Sequence, residues 1–231
     1  MLALGAIVLA GALLRLRWFG DSLYGDETEA FYDVSGHGLG GVLHLLNGHT
    51  PELSPPLYFV LAWMSERVFG TSVQSLRLVS MVAGVSAIPM TYLLGRFTAS
   101  SRAALVAAAM VALSPFLIFF SSEARPYSLL LALCLASTLA LVRAVGHDGR
   151  SRWWVVYALS SCAALYTHYL AVFVLAVQFV WAFVAFPAGM FGCCSADQLT
   201  LTQQIYRVAL ERTRAVLAPS AVEKLYYRSA N

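Results

Sequence analysis

Three long stretches of the sequence contain no Asp, Glu, Lys or Arg, and they limit the possible folds more than any other feature. They cover residues 78–94, 103–120 and 126–142, and an arginine borders each of them. A helix needs about 20 mostly apolar residues to cross the hydrocarbon core of a bilayer. Only 12% of the residues are charged, against roughly 25% in an average soluble domain. Together these observations exclude a water-soluble globular protein.

Apolar segments on either side of this region predict further spans. At the start of the chain, either a first, uncleaved helix extends to residue 19 while Arg15 and Arg17 snorkel to the interface, or the chain begins late relative to related proteins. The last apolar block has 34 residues. One helix of that length would rise about 51 Å, against a core of ~30 Å, so we expect the block to fold back near His168.

The sequence therefore predicts an all-α fold, a polytopic membrane helix bundle of about six transmembrane helices. The predicted membrane domain covers residues 1–187, with spans at roughly 1–19, 78–94, 103–120, 126–142, 153–167 and 170–186.

The charges between these spans predict the orientation. If the N-terminus lies inside, the inner segments carry ten Lys and Arg and four Asp and Glu, whereas the outer segments carry five and eight. Basic residues are retained on the cytoplasmic side of membranes. We therefore expect a multi-pass protein of the plasma (inner) membrane, with its N-terminus and C-terminal tail in the cytoplasm.

The predicted first outer loop, residues 20–77, contains two amphipathic segments that favour interfacial helices over a crossing. In residues 53–70, Ser54 suits the cap of a helix and Gly70 the position after its end. A weaker, glycine-interrupted segment covers residues 30–46. The apolar faces predicted for the two segments are Leu57, Val60, Leu61, Met64 and Val68 in the first, and Phe31, Val34, Val42 and Leu45 or Leu46, facing lipid, in the second.

The tail over residues 188–231 is polar, and its middle could form an amphipathic helix over residues 199–217. The basic residues Arg207, Arg212 and Arg214 predict contact with anionic membrane lipid. A solvated helix is the alternative. Nucleic acid is not an expected partner, because no basic face occurs outside this tail.

Two adjacent carboxylates, Asp26 and Glu27, follow the first apolar helix and are flanked by aromatic side chains. An acidic pair in a loop is usually solvated surface. A carboxylate held at a membrane surface by Trp18, Phe19 and Tyr24 is instead expected to be partly desolvated, an environment that suits a general base.

The other polar residues of the predicted outer face can each be interpreted in two ways, as structural or as functional. Arg77 could snorkel, or it could face inward and bind an anion. Glu123 and Arg125 could simply pair with each other, and His168 could be a packing residue. The spacing of the histidines and cysteines supports no metal site. The sequence therefore predicts neither a metal ligand nor a cofactor, and a need for a divalent metal stays open.

The order of these motifs resembles the N-terminal half of a glycosyltransferase family 39 protein, of the membrane-embedded GT-C superfamily. That family includes protein O-mannosyltransferases and, more distantly, aminoarabinose transferases. The motifs, in chain order, are Leu-Tyr-Gly-Asp-Glu at 23–27, Ser-Pro-Pro-Leu-Tyr at 54–58, Leu-Arg-Leu-Val-Ser at 76–80, Ser-Pro at 114–115, Ser-Ser-Glu-Ala-Arg-Pro-Tyr at 121–127 and Tyr-Thr-His-Tyr at 166–169.

This resemblance implies an inverting transfer of a sugar from a polyprenyl-phosphate donor to an acceptor hydroxyl on the extracytoplasmic side. Asp26 would be the catalytic base, with Glu27 beside it, and Arg77 would stabilise the donor phosphate. The other residues that the resemblance assigns to substrate binding are Tyr58, Glu123, Arg125, Tyr127, His168 and Tyr169. The family usually has histidine before the two prolines, where this chain has Ser54.

Members of that family are longer, so we expect this chain to be a truncated or short form. The acceptor would be a lipid, a glycan or a protein. Two other hypotheses stay open: a noncatalytic membrane component that binds lipid-linked sugar or a partner subunit, and a small transporter. A transporter is less favoured because all charged residues can be placed outside the five later spans or at their edges.

Overall fold

A computed structural model of the protein describes residues 2–48, 55–146 and 151–185. Within these ranges the chain forms ten α-helices and no strand. This confirms the all-α prediction for the described part of the chain. The helices are α1 (Leu2–Leu16), α2 (Asp26–Val34), α3 (Leu39–Gly48), α4 (Leu57–Phe69), α5 (Val73–Thr98), α6 (Ser101–Leu113), α7 (Pro115–Ser122), α8 (Tyr127–Gly146), α9 (Ser151–Leu165) and α10 (Ala171–Ala185).

Two of these helices are long and apolar enough to cross a bilayer: α5, and α8 over Tyr127–Val145. A third span results if α6 and α7, which are bent by 54° relative to each other, are taken together. Helix α1 is apolar but has 15 residues, which rise only about 22 Å. The described residues thus support two or three spans, and the predicted count of about six is not confirmed.

Helix α5 lies at the centre of the bundle and packs against α1, α4, α6, α7 and α8. It contacts α1 and α6 through small side chains. A Cβ atom on Gly11 would lie 2.6 Å from Cδ1 of Ile88, and Ala104, Ala108 and Ala112 of α6 are fully buried in the same cluster. Such residues let helices approach closely, as is common for helices packed in membranes.

Helices α2, α3 and α4 form a second core with the start of α5. Helices α2 and α3 are joined by a turn at Gly36, whose φ of 79° lies in the left-handed region that favours glycine. Val34 and Val42 are completely buried in this core, and Phe31 and Leu46 pack against it. The prediction that these residues face lipid is therefore wrong. Their apolar face is covered by α4 and α5 instead.

Helix α4 confirms the helix predicted within residues 53–70, and Gly70 follows its end as expected. The buried face of α4 is formed by Tyr58, Phe59 and Ala62. On its other face, Met64 is 51% and Val68 72% exposed. An interfacial position for this helix stays a prediction. Ser54 and the tail over residues 188–231 lie outside the described residues.

The arginine at the end of α1 does not snorkel. The Arg15 side chain is fully buried, and it points into the bundle towards the junction of α6 and α7. The prediction failed because it considered only α1. Backbone carbonyl groups of α6, which are nearly 100 residues away in sequence, accept hydrogen bonds from the guanidinium.

Candidate active site

Helix α2 begins with the two adjacent carboxylates. Gly25 precedes them with a φ of 56°, which is strained for any residue with a side chain. Acidic groups in the first turn are favourable because the N-terminus of a helix carries a partial positive charge. Although they are neighbours in sequence, Asp26 and Glu27 lie in opposite environments. The side chain of Asp26 is 73% exposed and that of Glu27 is 2% exposed.

Glu27 is held by a bidentate ion pair with Arg77 of α5. Nε of Arg77 donates to Oε1 at 2.8 Å, and Nη2 donates to Oε2 at 2.5 Å. The backbone N–H of Ala124 also donates to Oε1, at 2.6 Å. Parallel paired hydrogen bonds of this kind are the strongest geometry available to an arginine and a carboxylate. Glu27 therefore ties α2 to α5 and to the turn before α8.

The remaining N–H groups of Arg77 are directed at the backbone that leads from α1 to α2. Nη1 donates to the carbonyl oxygens of Asp21 at 2.8 Å and of Trp18 at 3.2 Å, and Nη2 donates to that of Ser22 at 3.2 Å. Arg77 is buried and faces inward, so of its two sequence-based readings the snorkelling one is wrong. In this structure Glu27 and these carbonyls accept the hydrogen bonds of the guanidinium. Binding of a donor phosphate by Arg77 stays a prediction.

Asp26 pairs with Arg125 on the turn formed by residues 121–127, which we call the 121–127 turn. The distance from Nη2 of Arg125 to Oδ2 of Asp26 is 2.6 Å. Arg125 itself is buried, so it presents its charge to the carboxylate from the protein side. The prediction of a partly desolvated carboxylate is therefore wrong for Asp26, which is exposed. Glu27 is the carboxylate that is removed from solvent. Asp26 is thus the solvent-accessible carboxylate of the pair.

Two hydroxyl groups, those of Ser80 and Tyr58, stabilise the backbone of the 121–127 turn. Ser80 donates to the carbonyl oxygen of Arg125 at 2.9 Å, and the Tyr58 hydroxyl lies 2.9 Å from Ser80 Oγ. Because Ser80 uses its single proton on the carbonyl, Tyr58 is the donor in the second hydrogen bond. Burial raises the pKa of Tyr58 far above its usual range. Tyr58 is fully buried, and its predicted contact with substrate stays a prediction.

Glu123 is half-buried on the same turn, and several charges act on it. Burial raises the pKa of its carboxyl group, and the negative charges of Glu27 and Asp26 act in the same direction. The positive charges of Arg125 and Arg77 oppose this shift. Neighbouring carboxylates favour the protonated form of one another. The pKa of Glu123 is therefore raised above its ordinary value, so this carboxyl group takes up a proton more readily than an isolated glutamate.

The turn after α9, residues 166–170, meets the starts of α4 and α8. The N–H of Leu57 donates to the carbonyl oxygen of Tyr166 at 3.0 Å, and the rings of Tyr127 and His168 are 5.7 Å apart. Nδ1 of His168 accepts a hydrogen bond from the N–H of Leu170. A neutral His168 with this acceptor carries its proton on Nε2. Tyr169 is 58% exposed.

The structure thus brings the predicted site residues together in two groups. Asp26, Glu27, Arg77 and Arg125 form two ion pairs, and Tyr127 lies beside His168. Sequence reasoning missed Ser80 and the backbone N–H of Ala124. The spacing from Arg77 to Ser80 was a usable signal, because residues three apart lie on one face of a helix. Nothing in the sequence marks a single backbone amide.

The described residues contain no group of three or more His, Cys, Asp and Glu side chains arranged to hold a metal ion. His49 lies outside the described ranges.

A family model, dolichyl-phosphate-mannose-protein mannosyltransferase, matches residues 53–191, which is 139 of the 231 residues. The matched region includes Arg77, the 121–127 turn and His168, and it begins after Asp26 and Glu27. No curated protein matches the sequence. The chain therefore belongs to the dolichyl-phosphate-mannose-protein mannosyltransferase family, a GT-C family of membrane glycosyltransferases, which confirms the resemblance to glycosyltransferase family 39.

Proposed function

We propose that this protein transfers a sugar from a polyprenyl-phosphate donor to an acceptor hydroxyl on the extracytoplasmic side, with inversion at the anomeric carbon. Membership of the family implies a membrane glycosyltransferase that uses a lipid-linked sugar. The observation that carries the finer proposal is the exposed carboxylate of Asp26, which is oriented by Arg125 at 2.6 Å beside a buried ion pair.

In this mechanism Asp26 is the general base. One of its carboxylate oxygens accepts the proton of the acceptor hydroxyl as the acceptor oxygen bonds to the anomeric carbon. The bond from that carbon to the phosphate oxygen breaks, and its electron pair stays with the polyprenyl phosphate. The ion pair with Arg125 holds one carboxylate oxygen of Asp26 in a fixed position, while the side chain stays open to solvent.

The leaving phosphate needs hydrogen-bond donors or positive charge close to its oxygens. We propose that His168 supplies one donor through Nε2–H, since Nδ1 already accepts from Leu170. Tyr127 packs against the ring of His168 and orients it. Tyr169 and Glu123 are assigned to the same substrate surface on the basis of the family resemblance. Arg77 keeps its predicted role only if the donor phosphate displaces Glu27.

Glu27 has a positioning role in this proposal. Its two oxygens accept from Arg77 and from the backbone of the 121–127 turn. Both oxygens of this carboxylate are occupied by these partners and the side chain is buried, so an acceptor hydroxyl does not reach it in this structure. We assign the base to Asp26 and the positioning role to Glu27 because Asp26 is exposed, whereas Glu27 is buried and paired with Arg77.

Transfer of radiolabelled mannose from polyprenyl-phosphate mannose, in membranes that contain the protein and endogenous acceptors, tests the proposal. We expect Asp26→Asn to lower transfer by at least 100-fold, in line with the contribution of a general base, roughly 10²–10⁴-fold. The amide can still accept from Arg125, so the fold is retained. Glu29→Gln, a change of an exposed carboxylate in the same turn of α2, is the matched control.

Transfer that persists unchanged in Asp26→Asn would remove the proposed base. Binding of polyprenyl-phosphate mannose without transfer, in the unmodified protein and both variants alike, would favour the noncatalytic component. Accumulation of a substrate in sealed vesicles containing only this protein would favour a transporter.

A further inference from the structure

Arg15 is a fully buried cation that the proposed reaction does not use. The two ion pairs of the described part of the chain, Glu27–Arg77 and Asp26–Arg125, do not include it. A buried charge is costly unless hydrogen bonds or opposite charge compensate for it. The groups that compensate for the charge of Arg15 therefore indicate its structural role.

The guanidinium of Arg15 binds the end of α6. Nη1 donates to the carbonyl oxygen of Ala112 at 3.1 Å, and Nη2 donates to that of Val111 at 3.2 Å. A third hydrogen bond, at 2.9 Å, returns to Gly11 of its own helix. The C-terminal end of a helix carries a partial negative charge, which favours a cation there.

The sequence explains why the carbonyl groups of Val111 and Ala112 have no hydrogen-bond donor within the helix. In an uninterrupted helix the Val111 carbonyl would accept from the N–H of residue 115, but residue 115 is proline and has no N–H. Ala112 lies in the last turn of α6, whose carbonyls have no intrahelical donor. Arg15 replaces the missing donors at a break where α6 and α7 are bent by 54°.

Arg15 also contacts the far end of α7. Its backbone carbonyl oxygen lies 3.4 Å from the hydroxyl oxygen of Ser122, which also donates to the carbonyl oxygen of Ile118 at 3.0 Å. Close packing surrounds this contact: a Cβ atom on Gly84 would lie 2.0 Å from Ser121 Oγ, and Nε of Arg15 is 3.4 Å from the same position. One residue of α1 thus contacts the regions at both ends of the short helix that leads into the 121–127 turn.

We infer that Arg15 is a positioning residue that sets the placement of the 121–127 turn relative to the two carboxylates. Helix α7 ends at Ser122, and two residues later the N–H of Ala124 binds Glu27 at 2.6 Å. Arg125 follows and binds Asp26. Without the guanidinium, the carbonyls at the break are left without donors, and α7 is free to shift with the turn that it carries.

The test compares Arg15→Met, which keeps an unbranched stem but has no hydrogen-bond donors, with Arg17→Met. Arg17 is exposed and lies two residues further along, so it is a matched control. The primary measurement is amide hydrogen exchange of the peptide containing Ala124 in purified full-length protein. We expect Arg15→Met to raise that exchange at least tenfold, while α5 and α8 keep their protection.

A second measurement links this placement to catalysis, and this arm alone rests on the proposed function. With polyprenyl-phosphate mannose, Arg15→Met is expected to lower kcat at least tenfold and to change KM for the donor less than twofold, because the Arg15 guanidinium is buried and is bound to α6. Arg17→Met is expected to leave kcat, KM and the exchange at Ala124 unchanged.

The inference is overturned if folded Arg15→Met protein shows unaltered exchange at Ala124, or if exchange rises equally throughout α5 and α8. If the Arg15→Met protein cannot be purified in folded form, Arg15→Lys takes its place. Lysine keeps the charge but lacks the two planar N–H groups that donate to the two carbonyls. A small rise confined to Ala124 is then expected, and unchanged exchange overturns the inference. Altered exchange in a protein that shows no transfer even when unmodified would refute the proposed function and leave the positioning role intact.

Discussion

Removing the charge of Glu27 is expected to destabilise the protein strongly. Both members of the pair with Arg77 are less than 5% exposed, so solvent screening weakens their interaction little. Leaving one partner of a buried pair without the other costs about 3–5 kcal/mol. Glu27→Gln keeps the shape of the side chain, and the lost free energy therefore reports the charge and its hydrogen bonds.

Thermal unfolding in detergent micelles measures this effect. A change of about 3–5 kcal/mol corresponds to a fall in Tm of roughly 6–20 °C, at about 2–4 °C per kcal/mol for a protein of this size. Arg77→Met and the double variant complete a cycle. Since residues in direct contact couple by about 0.5–3 kcal/mol, the double variant should be less destabilised than the sum of the two single changes.

Asp26→Asn is the control, because Asp26 is mostly exposed and exposed ion pairs contribute only about 0–1 kcal/mol. An equal fall in Tm for Glu27→Gln and Asp26→Asn would refute the distinction between a structural and a reactive carboxylate. A coupling below about 0.5 kcal/mol in the cycle would refute the bidentate pair.

Two further predictions concern other groups. Because the pKa of Glu123 is raised in the folded protein, its ionisation opposes folding: the contribution of this group to stability is fully present below its ordinary pKa of 4.5 and is lost as pH rises through the folded value. Glu123→Gln should therefore flatten this part of a Tm profile measured from pH 4 to pH 8, and an unaltered slope would contradict the assignment. Gln178 of α10 donates to Ser137 and Thr138 of α8 at 2.9 and 2.8 Å; Gln178→Leu should lower stability by about 0.6–2 kcal/mol, and unchanged unfolding in detergent would show that these contacts contribute nothing.

Much of the secondary structure could be predicted because it depends on local patterns. The uncharged runs predicted α5 and α8, and the spacing of apolar residues after Pro56 predicted α4. The predicted span over residues 103–120 is broken at Pro115. That proline was visible in the sequence, but the 54° bend and the hydrogen bonds that Arg15 makes beside it were seen only in the tertiary structure.

The faces of the short loop helices could not be predicted in the same way. Val34 and Val42 fit an apolar face equally well against lipid or against protein, because both surroundings are apolar. The structure covers them with α4 and α5. Hydrophobic periodicity shows that a face is apolar without showing what covers it.

By itself the sequence determined that this chain belongs in a membrane, that it is helical, and that its polar motifs occur in the order of a known family of glycosyltransferases. Only the tertiary structure decided which carboxylate pairs with which arginine. Glu27 and Arg77 are 50 residues apart, and Asp26 and Arg125 are 99 apart. At such separations pairing depends on how the helices pack, and neighbouring carboxylates with the same functional group come to lie in different environments because one points into the bundle and the other points to solvent.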